Sequence, residues 1–338
     1  MIVLRPDATE EDLDRVVDRV AVTGAEARVD RDGNRIYVGA RGDRARLQQV
    51  PWGALAGVDT AVPTLESLQL VGRSRLGAAT VVEVGGVALG GGSVTVIAGP
   101  CTVENREQLF AAASAVKQAG AAILRGDAFK PRTSPYAFQG LGEKGLVLLA
   151  EARREFDMPF VAEVLDSRDV AMVSEYADMI RIGSRNMANF ALLAEVGRQE
   201  KPVMLKRGMA ATIEEWLLAA EYICKEGNGQ VVLCERGIRT FEGETRNTLD
   251  ISAVPVLRSL THLPVVVDPS HGGGRRDLVA PLTRASIAAG ADGVLIDVHA
   301  DPDNALVDGA QAILPAEFGT LMDEVRALAA AMGRSVTG

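Results

Sequence analysis

The sequence predicts an α/β fold, a (β/α)8 TIM barrel preceded by a small ferredoxin-like α+β domain. Two observations carry this prediction: residues 1–66 follow a β-α-β-β-α-β order, and eight strand–helix units follow from residue 94 onward. Eight such units in about 250 residues are typical of a closed barrel, and a doubly wound open sheet is the alternative. We therefore place the small domain at 1–66, a linker at 67–80 and the barrel at 81–338.

The small domain begins with a short strand and an amphipathic helix. Leucine and valine recur at helical spacing through residues 10–22. Asp32-Gly33 then separates two short alternating runs, which is a hairpin signal because the tight turn needs positive φ. A weak helix and a last strand complete the order. The predicted elements are 2–4, 10–22, 27–30, 35–39, 44–50 and 58–65.

The barrel domain at 81–338 opens with a hairpin, whose strands at 81–84 and 87–89 are joined by Gly85-Gly86. Beyond it, short apolar runs alternate with segments of helical period, and many of those segments end in glycine. This regular alternation is the pattern of βα units in one parallel sheet. The predicted strands are 94–101, 122–130, 160–165, 179–185, 203–207, 231–236, 265–271 and 294–299.

Composition excludes several classes of function. The 338 residues are 47% hydrophobic and 24% charged, as in folded soluble proteins. A net charge of −9 and only 4% aromatic residues argue against nucleic-acid and anionic-membrane partners. Three cysteines without framework spacing favour a reducing compartment, and we find neither a signal-peptide pattern nor a membrane-spanning run. We expect a cytoplasmic protein.

The carboxyl ends of the predicted barrel strands carry reactive side chains, although the strands are otherwise apolar. In a (β/α)8 barrel the active site forms at this end. Charged groups crowded there are costly to desolvate unless they bind a ligand. In strand order the residues are Cys101, Lys130, Glu163, Arg185, Lys206, Arg236, His271 and Asp297 with His299.

The basic residues at and near these strand ends indicate an anionic ligand. Arginine matches the oxygens of phosphate and carboxylate bidentately, so their convergence on a protein of net charge −9 predicts a small, multiply anionic substrate. The alternative is that some of them form rim ion pairs with Asp127, Glu163 or Glu235. The cations are Arg125, Lys130, Arg132, Arg185, Lys206 and Arg236.

A second subset suits a divalent metal, because it combines thiolate, imidazole and carboxylate. This mixture favours Mn, Fe, Co or Zn over Mg and Ca, which prefer oxygen alone. Cys101 follows Gly99-Pro100 at a strand end, whereas we interpret Cys224 and Cys234 as small core residues. The predicted ligands are Cys101, His271, Asp297 and Asp308.

Five segments are together specific enough to indicate a family. They are 97–101 (IAGPC), 130–135 (KPRTSP), 205–208 (LKRG), 234–240 (CERGIRT) and 268–271 (DPSH). These segments resemble 3-deoxy-D-arabino-heptulosonate 7-phosphate (DAHP) synthase of type I, in the β subfamily with an added N-terminal ferredoxin-like domain. The resemblance covers nearly the whole chain and is strongest over 94–310.

The resemblance implies 3-deoxy-7-phosphoheptulonate synthase activity, the first step of the shikimate pathway of aromatic amino acid biosynthesis. This transferase condenses phosphoenolpyruvate with D-erythrose 4-phosphate and water, giving DAHP and phosphate. Synthases of 3-deoxy-octulosonate 8-phosphate and of sialic acid share the barrel and this chemistry. The former carries KANRSS where this chain has KPRTS at 130–134, so the four-carbon sugar phosphate is favoured here.

The resemblance also implies roles for individual residues. The metal, held by Cys101, His271, Asp297 and Asp308, polarises the aldehyde. Glu163 lies near the reacting water, and Lys130, Glu163, Cys101 and His271 form the catalytic set. Arg132 and Thr133 hold the phosphate of erythrose 4-phosphate. The residues that hold phosphoenolpyruvate are Arg125, Lys130, Arg185, Lys206 and Arg236.

Two positions depart from the family pattern. Asp297 stands where glutamate is usual, one methylene shorter, and Asp127 replaces the second glycine of a Gly-Gly pair. Asp127 either weakens substrate affinity or pairs with Arg125 or Arg153. A catalytically silent barrel kept as a sensor or partner subunit is the alternative function that these departures leave open.

The resemblance further implies feedback control and assembly. The domain at 1–66 is expected to be regulatory, with tyrosine or phenylalanine as effector, and the barrel at 81–338 to be catalytic. The alternative role for the small domain is an oligomer contact or a lid. The expected assembly is a homotetramer.

Overall fold

The computed structural model describes residues 1–32, 35–61, 68–73 and 79–338, and the chain divides into two compact units, Met1–Glu66 and Ser67–Gly338. Gly33 of the predicted hairpin turn and much of the predicted linker lie outside the described residues. Within the described part of that linker, Val71 is buried and its carbonyl accepts a hydrogen bond from Thr261 Oγ1 at 2.5 Å. No helix in the described ranges is long and apolar enough to cross a membrane.

The first unit is a four-stranded antiparallel sheet in the order β2-β3-β1-β4, which confirms the predicted ferredoxin-like domain. Valine and leucine side chains of its first helix pack on the sheet and form a core of their own. The predicted strand 58–65 is described as far as Ala61. The elements are β1 (Ile2–Leu4), α1 (Glu10–Val22), β2 (Glu26–Asp32), β3 (Arg35–Arg41), α2 (Arg44–Gln48) and β4 (Val58–Ala61).

The second unit opens with an antiparallel hairpin, β5 (Val81–Val84) and β6 (Val87–Gly90), which precedes eight parallel strands. Each of these strands pairs with the next, and the last closes on the first with Asp297 opposite Gly99. The predicted (β/α)8 barrel is thereby confirmed. Its strands are β7 (Val94–Gly99), β8 (Ile123–Arg125), β9 (Phe160–Val164), β10 (Met179–Ile182), β11 (Val203–Lys206), β12 (Val231–Glu235), β13 (Val265–Val267) and β14 (Gly293–Asp297).

Helices follow the barrel strands in the chain, and a two-residue strand, β15 (Val336–Thr337), pairs with β7. Side-chain caps begin several helices: Asn105 accepts a hydrogen bond from the N–H of Gln108, and Thr212 forms a capping box with Glu215. The helices are α3 (Arg106–Ala119), α4 (Glu143–Phe156), α5 (Val170–Tyr176), α6 (Phe190–Gly197), α7 (Ile213–Lys225), α8 (Ala253–Leu260), α9 (Pro269–Gly273), α10 (Arg276–Ala288) and α11 (Pro315–Ala331).

The barrel core is one apolar cluster that joins the lower part of the strands to the hairpin. Val82, Val84 and Leu89 of the hairpin pack with the interior residues of the strands. The hairpin therefore covers the amino-terminal end of the barrel with apolar side chains. The opposite end, where the strands finish, is left for the functional site.

All eight barrel strands end before their predicted last residue, and in three of them the difference is large enough to place the reactive residue well inside the following segment. Lys130 and Arg185 come after β8 and β10, at some distance from the last strand residue. His271 belongs to α9, because Pro269 suits the first position of a helix and the Asp268 side chain accepts the N–H of His271 at 2.9 Å. The apolar runs were located correctly, but the predicted strands 122–130, 179–185 and 265–271 were too long.

Candidate active site

The barrel interior changes from apolar to charged side chains over two residues in seven of the eight barrel strands; in β7 the core residue Ile97 is followed two places later by Gly99. Alternate side chains share one face of a strand, so the second residue after an interior core residue lies on the same face. In strand order the core residues are Ile123, Val161, Met179, Met204, Cys234, Val266 and Leu295. The residues two places after them are Arg125, Glu163, Arg181, Lys206, Arg236, Asp268 and Asp297.

A polar cavity of about 450 Å³ opens above this charged layer. Three of the sequence-predicted residues do not line the cavity and are buried behind its wall: Cys101, Arg125 and Asp297. Additional cations, Arg181, Arg239 and Arg246, also contribute to its wall. The sequence-predicted residues that line the cavity are Lys130, Arg132, Thr133, Glu163, Arg185, Lys206, Arg236, His271 and Asp308.

Three of the four predicted metal ligands lie together at this cavity. Cys101 Sγ is 3.8 Å from His271 Nε2 and 3.3 Å from Asp308 Oδ2, and His271 Nε2 is 3.5 Å from Asp308 Oδ2. Their ligand atoms all lie within 4.8 Å of one another. A thiol, an imidazole and a carboxylate at this spacing fit a thiophilic or borderline divalent metal.

Asp297, the fourth predicted ligand, has other partners. It accepts hydrogen bonds from the Arg125 guanidinium and, at 2.7 Å, from Gln311 Nε2. Its Oδ2 lies 3.6 Å from His271 Nδ1. The short aspartate side chain is thus turned toward Arg125 and Gln311.

Asp268, which the sequence analysis did not select, orients His271. Its Oδ2 lies 2.9 Å from His271 Nδ1 and also accepts from Lys206 Nζ. Burial opposes ionisation, but His271 and Lys206 hold the pKa of Asp268 well below its ordinary value. The second ring nitrogen of His271, Nε2, is then left to face Cys101 and Asp308, an arrangement common at metal-binding histidines.

The predicted cations fall into two groups. Arg125, Lys130 and Lys206 each form an ion pair with a buried aspartate. Arg132, Arg185 and Arg236 have no ion pair with any carboxylate of the described residues, and their hydrogen bonds to protein oxygens are long, at 3.4 Å. Burial lowers the pKa of Arg236. The second group therefore presents the unneutralised positive charge at the cavity.

Asp127 is fully buried and points into the barrel. Its Oδ2 accepts from Arg125 Nη2 and Lys130 Nζ, both at 3.1 Å, and from Arg181 Nη2. Pairing with Arg125 was one of the alternatives considered above, whereas Arg153 instead pairs with Asp178 at 3.0 Å.

Arg181 was missed by sequence reasoning. It is buried within β10 and donates a hydrogen bond to Glu163 Oε2 at 2.8 Å. The two residues lie opposite each other in the parallel register of β9 and β10. The available signal was a lone arginine in the apolar run Met179–Ile182. Arg246 was also missed; it pairs with Asp308 at 3.2 Å from a loop without a recognisable pattern.

Comparison with protein families now gives the identity of this arrangement. The model of the DAHP synthetase I family matches residues 74–332, and that of the DAHP synthase ferredoxin-like domain matches residues 1–66. The chain belongs to the DAHP synthetase I family. Membership confirms the predicted family and the predicted activity, that of a 3-deoxy-7-phosphoheptulonate synthase, a transferase of the shikimate pathway.

Individual relatives agree with this assignment. The phospho-2-dehydro-3-deoxyheptonate aldolase of Thermotoga maritima is 48% identical over 336 residues, which cover 99% of each chain. Its crystal structure, described as a DAHP synthase, superposes with a TM-score of 0.79 at 48% identity and covers 99% of this chain and 98% of that one. A 2-dehydro-3-deoxyphosphooctonate aldolase of Syntrophobacter fumaroxidans is 32% identical over 261 residues, covering 72% of this chain and 90% of the relative.

Proposed function

We propose that the cavity at the barrel mouth condenses phosphoenolpyruvate with D-erythrose 4-phosphate. The observation that carries this proposal is the convergence of three cations, Arg132, Arg185 and Arg236, beside the group of Cys101, His271 and Asp308. None of these cations pairs with a carboxylate within residues 1–32, 35–61, 68–73 or 79–338. A phosphate and a carboxylate supply the missing negative charge. Both proposed substrates carry phosphate, and phosphoenolpyruvate carries a carboxylate as well.

The cations divide between the two substrates. Phosphoenolpyruvate is proposed to be held by four cavity-lining cations: Lys130, Arg185, Lys206 and Arg236. Arg125 supports them from behind the cavity wall. Arg132 and Thr133 are proposed to hold the phosphate of erythrose 4-phosphate. Arg185 Nη2 lies 3.4 Å from Thr133 Oγ1, so the two proposed anion sites adjoin. This proximity would bring C3 of one substrate close to the aldehyde of the other.

Cys101, His271 and Asp308 would hold a divalent metal, with Asp297 proposed as the fourth ligand. Burial and the charge of Asp297 raise the pKa of Cys101 to about 12, against the opposing charges of Lys130 and Arg125. Metals bind the thiolate, so metal binding would release this proton. When bound, the metal supplies Lewis acidity toward the aldehyde oxygen. The donor set favours Mn, Fe, Co or Zn.

The protein side chains supply orientation and proton-donating groups. In the proposed reaction, C3 of phosphoenolpyruvate forms a bond to the aldehyde carbon, water adds at C2, and phosphate leaves with its bridging oxygen. Glu163 is positioned to accept a hydrogen bond from the attacking water. Burial opposes the charge on Lys130, but Cys101 and Asp127 raise its pKa above the ordinary value. Lys130 is therefore a hydrogen-bond donor to the developing alkoxide.

The remaining roles are proposed at the level of whole units. Residues 1–66 would form a regulatory domain that responds to tyrosine or phenylalanine, residues 67–80 a linker, and residues 81–338 the catalytic domain. Support for the first role comes from the match to the DAHP synthase ferredoxin-like domain. We further propose a homotetramer that acts in the cytoplasm.

The proposed function is tested by measuring phosphate release from phosphoenolpyruvate after chelation and after addition of Mn or Zn. We expect release with erythrose 4-phosphate and a metal, and little with arabinose 5-phosphate, because the 130–134 loop favours the shorter aldose. Activity should disappear on chelation.

Two controls make this assay decisive. Cys101→Ser should lower metal affinity measured directly by equilibrium dialysis, since it removes a thiolate ligand, whereas Cys224→Ser should not. Turnover with arabinose 5-phosphate alone would assign the chain to octulosonate synthesis. An inactive enzyme under every metal would favour a silent barrel, and Asp297→Glu would then be the variant to examine.

A further inference from the structure

A cluster of six charged groups lies within the barrel mouth, and two of them, Asp127 and Arg181, have no role in the function proposed above. Three cations, Arg125, Lys130 and Arg181, face three carboxylates, Asp127, Glu163 and Asp297. The formal charges cancel. Each of the six residues is at most 7% exposed, so solvent cannot compensate for a missing partner.

Asp127 and Arg181 are the links that hold this cluster together. One oxygen of Asp127, Oδ2, accepts hydrogen bonds from all three cations. One nitrogen of Arg181, Nη2, donates both to Asp127 and, at 2.8 Å, to Glu163. Neither Asp127 Oδ1 nor Arg181 Nη1 has a hydrogen-bond partner among the described residues. Through these contacts the pair reaches Lys130 and Glu163, which both line the cavity.

The electrostatics of the pair agree with this geometry. Burial opposes ionisation of Asp127, but Arg181, Lys130 and Arg125 hold its pKa well below the ordinary value. In the same way, Asp127 and Glu163 raise the pKa of Arg181 despite its burial. Both shifts favour the charged forms, as expected for a buried ion pair.

We propose that the Asp127–Arg181 pair is a positioning device for the active site, in which Asp127 holds the Lys130 ammonium beside Cys101 and Arg181 holds the Glu163 carboxylate. The proposal rests on the function proposed above, because it concerns how Lys130 and Glu163 are aligned for that reaction. The negative charge of Asp127, which departs from the family pattern, is then balanced by the positive charge of Arg181, the buried arginine on β10.

Variants at the two positions test whether the residues act as a unit. Asp127→Asn leaves the cluster with one excess positive charge, and Arg181→Gln leaves one excess negative charge. We expect Asp127→Asn to raise the KM for phosphoenolpyruvate roughly tenfold and Arg181→Gln to lower kcat roughly tenfold, as displaced supporting groups commonly do. The double variant restores charge balance, so its losses should be much smaller than the product of the single losses.

Matched measurements separate positioning from simple stability. Arg153→Gln removes a different partly buried ion pair, with Asp178, which touches neither Lys130 nor Glu163, so it should lower Tm without changing kcat or KM. Arg181→Lys keeps the positive charge but loses the planar, multiply donating guanidinium. It replaces Arg181→Gln in these measurements if that variant does not fold. Kinetic constants are normalised to the folded fraction from circular dichroism, and phosphoenolpyruvate binding is also measured by calorimetry.

The possible outcomes distinguish this inference from the proposed function. Wild-type protein without turnover contradicts the proposed function itself. Active wild-type protein whose single variants keep wild-type kcat and KM overturns the positioning role and leaves a purely structural pair. Multiplicative losses in the double variant overturn the coupling between Asp127 and Arg181.

Discussion

Two buried arginines that directly follow neighbouring strands show how the partners of a side chain set its role. Arg207 pairs with Glu235 at 3.0 Å and with Asp250 at 2.9 Å. Arg236, equally buried, has no ion pair with a described carboxylate and lines the cavity. A buried charge without a partner destabilises the folded protein, so we expect Arg236 to serve its proposed ligand rather than stability.

Arg236→Met should therefore raise stability while impairing function. Relief of the buried charge is expected to raise Tm by about 2–4 °C, corresponding to about 1 kcal/mol. Loss of the guanidinium should raise the KM for phosphoenolpyruvate at least tenfold, by the loss of a charge-assisted hydrogen bond. Calorimetric unfolding and steady-state kinetics measure the two effects.

Arg207→Met is the matched control and should have the opposite sign. It leaves Glu235 buried without its cation, which is expected to lower the free energy of unfolding by about 3–5 kcal/mol. Burial already raises the pKa of Glu235 against the opposing charge of Arg207, and without that cation the carboxylate would keep only hydrogen bonds such as that from the Gly237 N–H at 2.6 Å. Equal destabilisation by the two substitutions would contradict this assignment.

At the scale of single elements, the N-terminal cap of helix α7 helps to position residues next to the cavity. Helix α7 begins after Thr212, whose hydroxyl accepts the N–H of Glu215 at 3.2 Å while Glu215 accepts the N–H of Thr212 at 2.8 Å. The helix then places Trp216 in the core, where its Nε1 donates to the carbonyl of Leu205 at 3.1 Å. This contact lies one residue before Lys206, a cavity-lining cation.

Thr212→Ala should weaken the start of this helix. The free energy of unfolding is expected to fall by about 1 kcal/mol, because one N-terminal backbone donor loses its acceptor. Thr212→Ser keeps the hydroxyl and should remain close to wild type. If chemical denaturation shows equal losses for alanine and serine, the capping box is not what stabilises α7.

At the scale of the whole molecule, the cavity and the rest of the chain have opposite electrostatic character. The protein has a net charge of −9, yet the cavity wall carries Arg132, Arg185 and Arg236, which form no ion pair with a carboxylate in the part of the chain that the structure describes. A cleft of one sign concentrates oppositely charged ligands locally, even on a molecule of the same sign as the ligand. Polyanionic substrates are thus attracted to one region of an otherwise acidic protein.

The two units have separate cores, and every proposed catalytic residue belongs to the second. We therefore expect residues 67–338, expressed alone, to fold and to retain turnover. The full chain should be inhibited by tyrosine or phenylalanine, and the shortened chain should not respond to either. Inhibition of the shortened chain would place the effector site in the barrel instead.

Local sequence pattern was sufficient for the fold and for much of the proposed site. The alternation of apolar runs and helical segments predicted the barrel because each βα unit must bury one strand and one helix face. The sequence analysis selected Cys101, His271 and Asp308 as metal ligands, and the structure brings these three residues together. Strand ends were less accurate, since Pro269 and the Asp268 cap convert the end of a predicted strand into a short helix.

The partners of the interior charges depend on contacts between residues far apart in the chain. Asp127 and Arg181 are 54 residues apart and meet because β8, β9 and β10 are consecutive strands of a closed sheet. Asp297, within reach of Arg125, turns toward that cation. Periodicity specifies which face of a strand a residue occupies. A buried charge is costly unless it has a partner of opposite sign, and closure of the barrel determines which partners are within reach.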